Sequence, residues 1–144
     1  MSAADVSGAD VEILVVFSIV GDDFDLDDCS SRVGRQPTTT WTQKREHLRA
    51  RADLANTSWT VASGWNAGDC VNDAVSALLD EVWPYQQQVV AYVESRGLTA
   101  HVECSVRMWA SAPLYSLSVE SMERLTALNA GFYLDLYDYR GDDS

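Results

Sequence analysis

Apolar positions along the chain follow two periods, and together they predict most of its elements. Val11–Val20, VEILVVFSIV, is rich in β-branched residues and closes at Gly21, the pattern of a central strand. The next segment, GDDFDLDDCSSRVG, predicts a short amphipathic helix with Leu26, Cys29 and Val33 facing inward. Asp25 is placed to cap that helix, Asp27 and Asp28 fall in its first turn, and Gly34 stands where a left-handed stop belongs. Residues 35–56 read as a strand plus a mobile connection: Pro37 and the run TTTWT favour an extended start, and QKREHLRARADL suits either strand or helix. Thr57–Ser63 alternates as a further strand, closed by Gly64 and Gly68 around a loop.

Helical spacing is strongest in the middle of the chain. Val71, Val75, Leu78, Leu79, Val82, Val89 and Val93 recur at intervals of three and four, Asp69 is placed to cap the start, and Arg96-Gly97 makes an end. Pro84 lacks a backbone donor and must kink this stretch or start a second helix. Thr99–Trp109 then alternates strictly, with Val102, Cys104, Val106 and Met108 on one face and His101, Glu103, Ser105, Arg107 and Trp109 on the other. Pro113–Ser118 is a short extended piece. Ser118 caps a helix carrying Val119, Met122, Leu125 and Leu128, stopped at Asn129-Ala130-Gly131. The last strand, Phe132–Tyr139, places Phe132, Leu134 and Leu136 inward and Tyr133, Asp135, Tyr137 and Tyr139 outward.

This order predicts an α+β fold: a mainly antiparallel sheet with helices on one face, ferredoxin-like in its core, with a helix and strand added at the C-terminal end. Residues 11–139 form the expected single domain, flanked by a flexible acidic tail over 1–10 and an acidic tail over 140–144. A chain of 144 residues buries roughly 68–70% of its unfolded surface on folding, enough for a core without disulfides or a structural metal.

Charge changes the picture. With 22 Asp and Glu against 10 Lys and Arg, the formal net charge is −12. That balance argues against nucleic acid or an anionic membrane as main partner and favours a basic protein. The longest apolar run is too short to cross a bilayer and lacks the basic flank of a signal peptide, and three widely spaced cysteines, Cys29, Cys70 and Cys104, read as reduced, buried thiols. The expected compartment is the cytoplasm. No cofactor is expected.

A strand ending in Gly21-Asp22-Asp23, a short helix, Gly34 with Pro37, the Trp59 strand, Leu78-Leu79-Asp80 and the closing Leu134-Asp135-Leu136-Tyr137 come in an order that resembles the small bacterial proteins catalogued as domain of unknown function 4279. The resemblance spans about residues 11–139. It implies a cytoplasmic bacterial protein of a compact α+β kind and brings neither an activity nor a catalytic residue.

Three groups of residues carry candidate chemistry. Asp22, Asp23, Asp25, Asp27 and Asp28 suggest a partner-binding acidic knob, a helix N-terminus favoured by its dipole, or a hard-cation site. The calcium-loop spacing fails, since Asp28 replaces the required Gly and Gly34 the bidentate Glu, so no metal is assigned. The second group is the outward set His101, Glu103, Arg107, Trp109, Tyr133, Asp135 and Tyr137, types enriched in binding hot spots, which would form one surface if the two strands were neighbours. That surface suits a ligand or a homodimer contact, and His101 with Glu103 could form an oriented base. The third is the basic stretch 35–51, whose local charge of +4 surrounds Trp41 and His47 and suits either a phosphate contact or an internal counterweight.

No phosphate loop, nucleophile turn or paired-Cys metal motif is present, so no catalytic residue is assigned. The expectation is a non-enzymatic acidic binding protein, an immunity-type inhibitor of a basic bacterial toxin. The alternatives are a small-ligand or nucleotide sensor on the aromatic sheet face and an uncharacterised enzyme.

Overall fold

A computed structural model of the protein describes residues 10–44 and 55–141. In chain order the elements are β1 (Val11–Gly21), α1 (Leu26–Val33), β2 (Thr39–Thr42), β3 (Thr57–Ala62), β4 (Asn66–Ala67), α2 (Val71–Val82), a 3₁₀ turn (Trp83–Tyr85), α3 (Gln86–Arg96), β5 (Thr99–Met108), α4 (Val119–Ala127) and β6 (Ala130–Asp138). The strands lie in the order β2-β3-β1-β5-β6, with the short β4 also paired to β1. β1 is antiparallel to both β3 and β5, β2 is antiparallel to β3, and β5 and β6 run parallel. Taken without β6, the order β5-β1-β3-β2 is that of the ferredoxin-like split β-α-β fold, and α4 with β6 is the predicted addition.

Local chemistry sets the element ends. The Asp25 carboxylate accepts from the Asp28 N–H at 3.0 Å, capping α1, and Gly34 ends that helix at φ 91°. Pro84 cannot supply a helical N–H, so the long apolar stripe is broken by the 3₁₀ turn between α2 and α3. The Ser118 hydroxyl accepts from the Ser121 N–H at 3.1 Å, and Asn129 turns the chain at φ 53° between α4 and β6.

All described helices pack on one face of the sheet. Val11, Ile13, Val15, Phe17 and Ile19 of β1, Trp59 and Val61 of β3, and Val102, Cys104, Val106 and Met108 of β5 meet buried side chains of every helix in one core. Burying a side chain such as Phe17 contributes about 1.5–3 kcal/mol. The buried Trp59 indole N–H donates to the Ser30 hydroxyl at 2.9 Å, tying β3 to α1.

Several expectations need correction. Asp69 does not cap α2: the cap position is Cys70, without a side-chain bond. A strand-like bridge pairs Cys70 with Leu114, and the Val71 N–H already donates to the Leu114 carbonyl at 3.0 Å. Cys70 itself is only partly buried, whereas Cys29 and Cys104 are buried. Residues 66 and 67, expected in a loop, pair with Ile13 and Glu12 as β4. Val119 and Met122 of α4 are exposed, because that helix presents Ser121 and Leu125 to the core. Leu134 and Leu136 face the helix side as expected but stay half exposed, because β6 is a sheet margin. Arg45, His47, Arg49 and Arg51 of the basic stretch, and most of both expected tails, lie outside the described residues.

Candidate functional site

Opposite the core, the sheet presents a face on which no described helix packs. Neighbouring strands β5 and β6 set Glu103 beside Tyr133, Ser105 beside Asp135 and Arg107 beside Tyr137. The parallel register answers the question left open by the sequence: the outward residues of the two late strands form one surface. On this same face Trp41, which pairs with Ser58, lies half exposed at the far margin on β2.

At one end of the face, Arg107 is held from two directions. Its guanidinium carbon lies 3.8 Å from the Trp65 ring centroid, and Nη1 reaches Glu12 Oε1 at 3.5 Å. Glu12 pairs with Arg107 in the β1–β5 register, and its side chain is 7% exposed. Just beyond β5, Trp109 stacks on Tyr139 with centroids 5.6 Å apart and an interplanar angle of 21°. Trp109 and Tyr139 remain exposed, as do Tyr133 and Tyr137. The Tyr137 hydroxyl donates to Asp135 Oδ2 at 2.7 Å, and that hydrogen bond to a carboxylate pushes the phenol pKa up.

His101 lies at the other end. Its ring meets Tyr133 edge-on at 5.3 Å. Burial lowers the imidazole pKa, partly opposed by the negative Glu103. The imidazole is therefore a neutral aromatic partner near pH 7. Among the described residues no hydrogen bond joins it to Glu103, so the oriented His–Glu base is not formed in this structure.

The five aspartates of the acidic run lie together in sequence but divide by role. Asp25 caps α1. Arg96 at 2.7 Å and Arg32 at 3.2 Å hold the Asp28 carboxyl below the usual carboxylate range. Asp23, at φ 52°, exchanges two bonds with the buried Asn56: its N–H donates to Oδ1 at 2.8 Å, and its Oδ1 accepts from Nδ2 at 2.7 Å. Asp22 and Asp27 are exposed at the surface of the same turn. Among the described residues no three His, Cys, Asp or Glu side chains are grouped to hold a metal ion. Of the basic stretch, Arg35 reaches Glu81 on α2 at 3.5 Å.

Two contributors to the face, Glu12 and Trp65, were not singled out from sequence. Glu12 is a charge within an apolar strand, a signal that a partner must lie across the sheet. Trp65 carries no comparable signal, since only the pairing of β4 with β1 brings it near Arg107.

Two concavities lie away from this face. One, of about 340 Å³, is lined by Ile13, Ser63, Asp69, Cys70 and Asp73 near the start of α2. The other, of about 490 Å³, lies between α2 and α4 beside Trp83, with Asp80, Glu120 and Glu123 around Arg124. Arg124 is engaged there by Asp80 at 2.8 Å and by the Trp83 ring at 5.3 Å.

Residues 11–139 match the family model described as Domain of unknown function (DUF4279), and the chain belongs to that family. No curated protein and no solved structure gives a significant match. No helix of the described residues is long and apolar enough to cross a membrane.

Proposed function

We propose that this protein is a non-enzymatic binding protein of the bacterial cytoplasm that docks a basic protein on its open sheet face, in the manner of an immunity-type inhibitor of a toxin. The observation that carries the reading is the joining of Tyr133, Tyr137 and Trp109 with Glu103 and Asp135 on one surface on which no described helix packs. Aromatic side chains supply area at low entropic cost, while half-buried carboxylates select a cationic partner. The net charge of −12 accelerates encounter with such a partner. Asp22 and Asp27, exposed beyond the end of β1, add to the attraction without forming the contact.

The test is affinity capture from the native cell, followed by titration of the purified basic partner. Affinity is expected to weaken as salt rises, and Trp109→Ala or Tyr137→Ala to weaken it at least about tenfold. Salt-independent affinity removes the electrostatic mechanism; unchanged affinity in both variants removes this face.

The stacked Trp109–Tyr139 pair favours a second reading, a small planar ligand or nucleotide laid against the same surface. Thermal shift against metabolites and nucleotides separates the two. A saturating small ligand stabilises by about 2.7 kcal/mol at a hundredfold excess over Kd, and Trp109→Ala abolishes the shift.

A further inference from the structure

The second margin of the sheet is β6, and its free edge has the chemistry of a strand awaiting another. The Tyr139 N–H donates to the Met108 carbonyl at 2.8 Å, so the odd-numbered residues of this register turn their backbone groups toward β5. By strand alternation, the N–H and C=O groups of Phe132, Leu134 and Leu136 point the other way. No described residue bonds to them. Natural edges are guarded by charged side chains, lysine above all, by proline, bulges or brevity. β6 has no lysine, proline or bulge over its nine residues, and its two charges, Asp135 and Asp138, are already engaged by the Tyr137 hydroxyl and by Arg140. Leu134 is 47% exposed and Leu136 51%, beside that edge.

We propose that β6 pairs antiparallel with β6 of a second copy of this chain, about a two-fold axis through Leu134. The register follows from the strand itself. Residue 134 is the midpoint of Ala130–Asp138, so only this register pairs the strand over its full length. It sets Leu134 against Leu134 and Phe132 against Leu136 on the helix side. On the open side it sets Tyr133 against Asp135 and Gly131 against Tyr137. No carboxylate then opposes another. A shift centred on residue 135 brings the two Asp135 carboxylates together and is disfavoured. Both copies meet through the same patch, as a closed two-fold dimer requires. The two sheets become one, and the two open faces continue into each other.

This pairing does not depend on the proposed partner. Tyr133, Asp135 and Tyr137 border both surfaces, but Leu134 lies on the helix side and Trp109 lies beyond β5, so Leu134→Lys and Trp109→Ala test the two ideas separately. Their salt responses also differ: screening weakens attraction to a basic partner but relieves repulsion between two chains of charge −12.

The experiment is sedimentation equilibrium of the full chain with amide hydrogen exchange. At about 100 µM, where a micromolar Kd leaves most chains paired, the mass should be twice the 15.9 kDa of one chain. The Phe132, Leu134 and Leu136 amides should then be protected, and lose protection on dilution. Leu134→Pro removes an outward N–H that the chain's own sheet does not use, and should yield a monomer with an unchanged circular dichroism spectrum. If that variant unfolds, Leu134→Lys, at an exposed position, provides the same test through charge repulsion. A monomeric wild-type chain at this concentration, a ladder of masses above two, a dimer without amide protection, or a dimer that survives Leu134→Lys each overturns the proposal.

Discussion

Arg107 sits over Trp65 at 3.8 Å from the ring centroid, joining the residue just before β4 to the end of β5 across β1. The same guanidinium serves the nearly buried Glu12 at 3.5 Å. One cation therefore satisfies a carboxylate and fixes an aromatic ring at the edge of the open face.

Removing that cation leaves Glu12 without its ion-pair partner. Arg107→Ala is expected to lower stability by about 1–3 kcal/mol, the cost of orphaning a buried polar group. Arg107→Lys keeps the charge but loses the broad contact with the indole, so its loss should be smaller. Urea melts of both variants and of Glu12→Gln, combined in a double-mutant cycle, measure the coupling. Additive losses would show that the pair contributes nothing.

Asn56 is fully buried and joins β3 to the turn after β1 through two bonds to Asp23 and one from the Thr57 hydroxyl at 2.9 Å. Asn56→Ala should cost about 2–3 kcal/mol by stranding these groups. Asn56→Asp should cost more, because it aims a second carboxylate at Asp23. Equal melting of wild type and Asn56→Ala would refute this role.

His101 makes stability depend on pH in a definite direction. Its pKa in the folded state is below the ordinary 6.5, so between the two values the unfolded chain binds more protons. Its contribution is full above the unfolded value and is lost as pH falls through the folded one. His101→Gln should flatten this part of the stability profile in urea melts taken from about pH 7.5 to pH 5. An imidazole NMR titration with a midpoint at or above 6.5 would contradict the sign.

The thiols should separate in reactivity. Burial pushes Cys29 up to about 12 and Cys104 up to about 11, while Cys70 is partly exposed beside the smaller concavity. A native-state thiol assay should therefore label Cys70 first, with Cys70→Ser abolishing the fast phase. Fast labelling of Cys29 or Cys104 would show that the core opens readily.

Local pattern alone determined much of this protein. The β-branched run of β1, the capped α1, the stripe shared by α2 and α3, and the strict alternation of β5 are written in period and cap chemistry, which depend on residues a few positions apart. The same alternation told which face of β5 and β6 each candidate side chain would occupy. Whether these faces join was decided only by tertiary structure, because the register of Glu103 with Tyr133 and of Arg107 with Tyr137 depends on how α4 returns the chain. The exposure of Leu134 and Leu136 is likewise a consequence of strand order: an alternating strand looks alike in sequence whether it lies inside a sheet or at its margin. So is the meeting of Arg107, Glu12 and Trp65, residues far apart in the chain whose attraction acts only once the backbone pairing has brought them within a few ångströms.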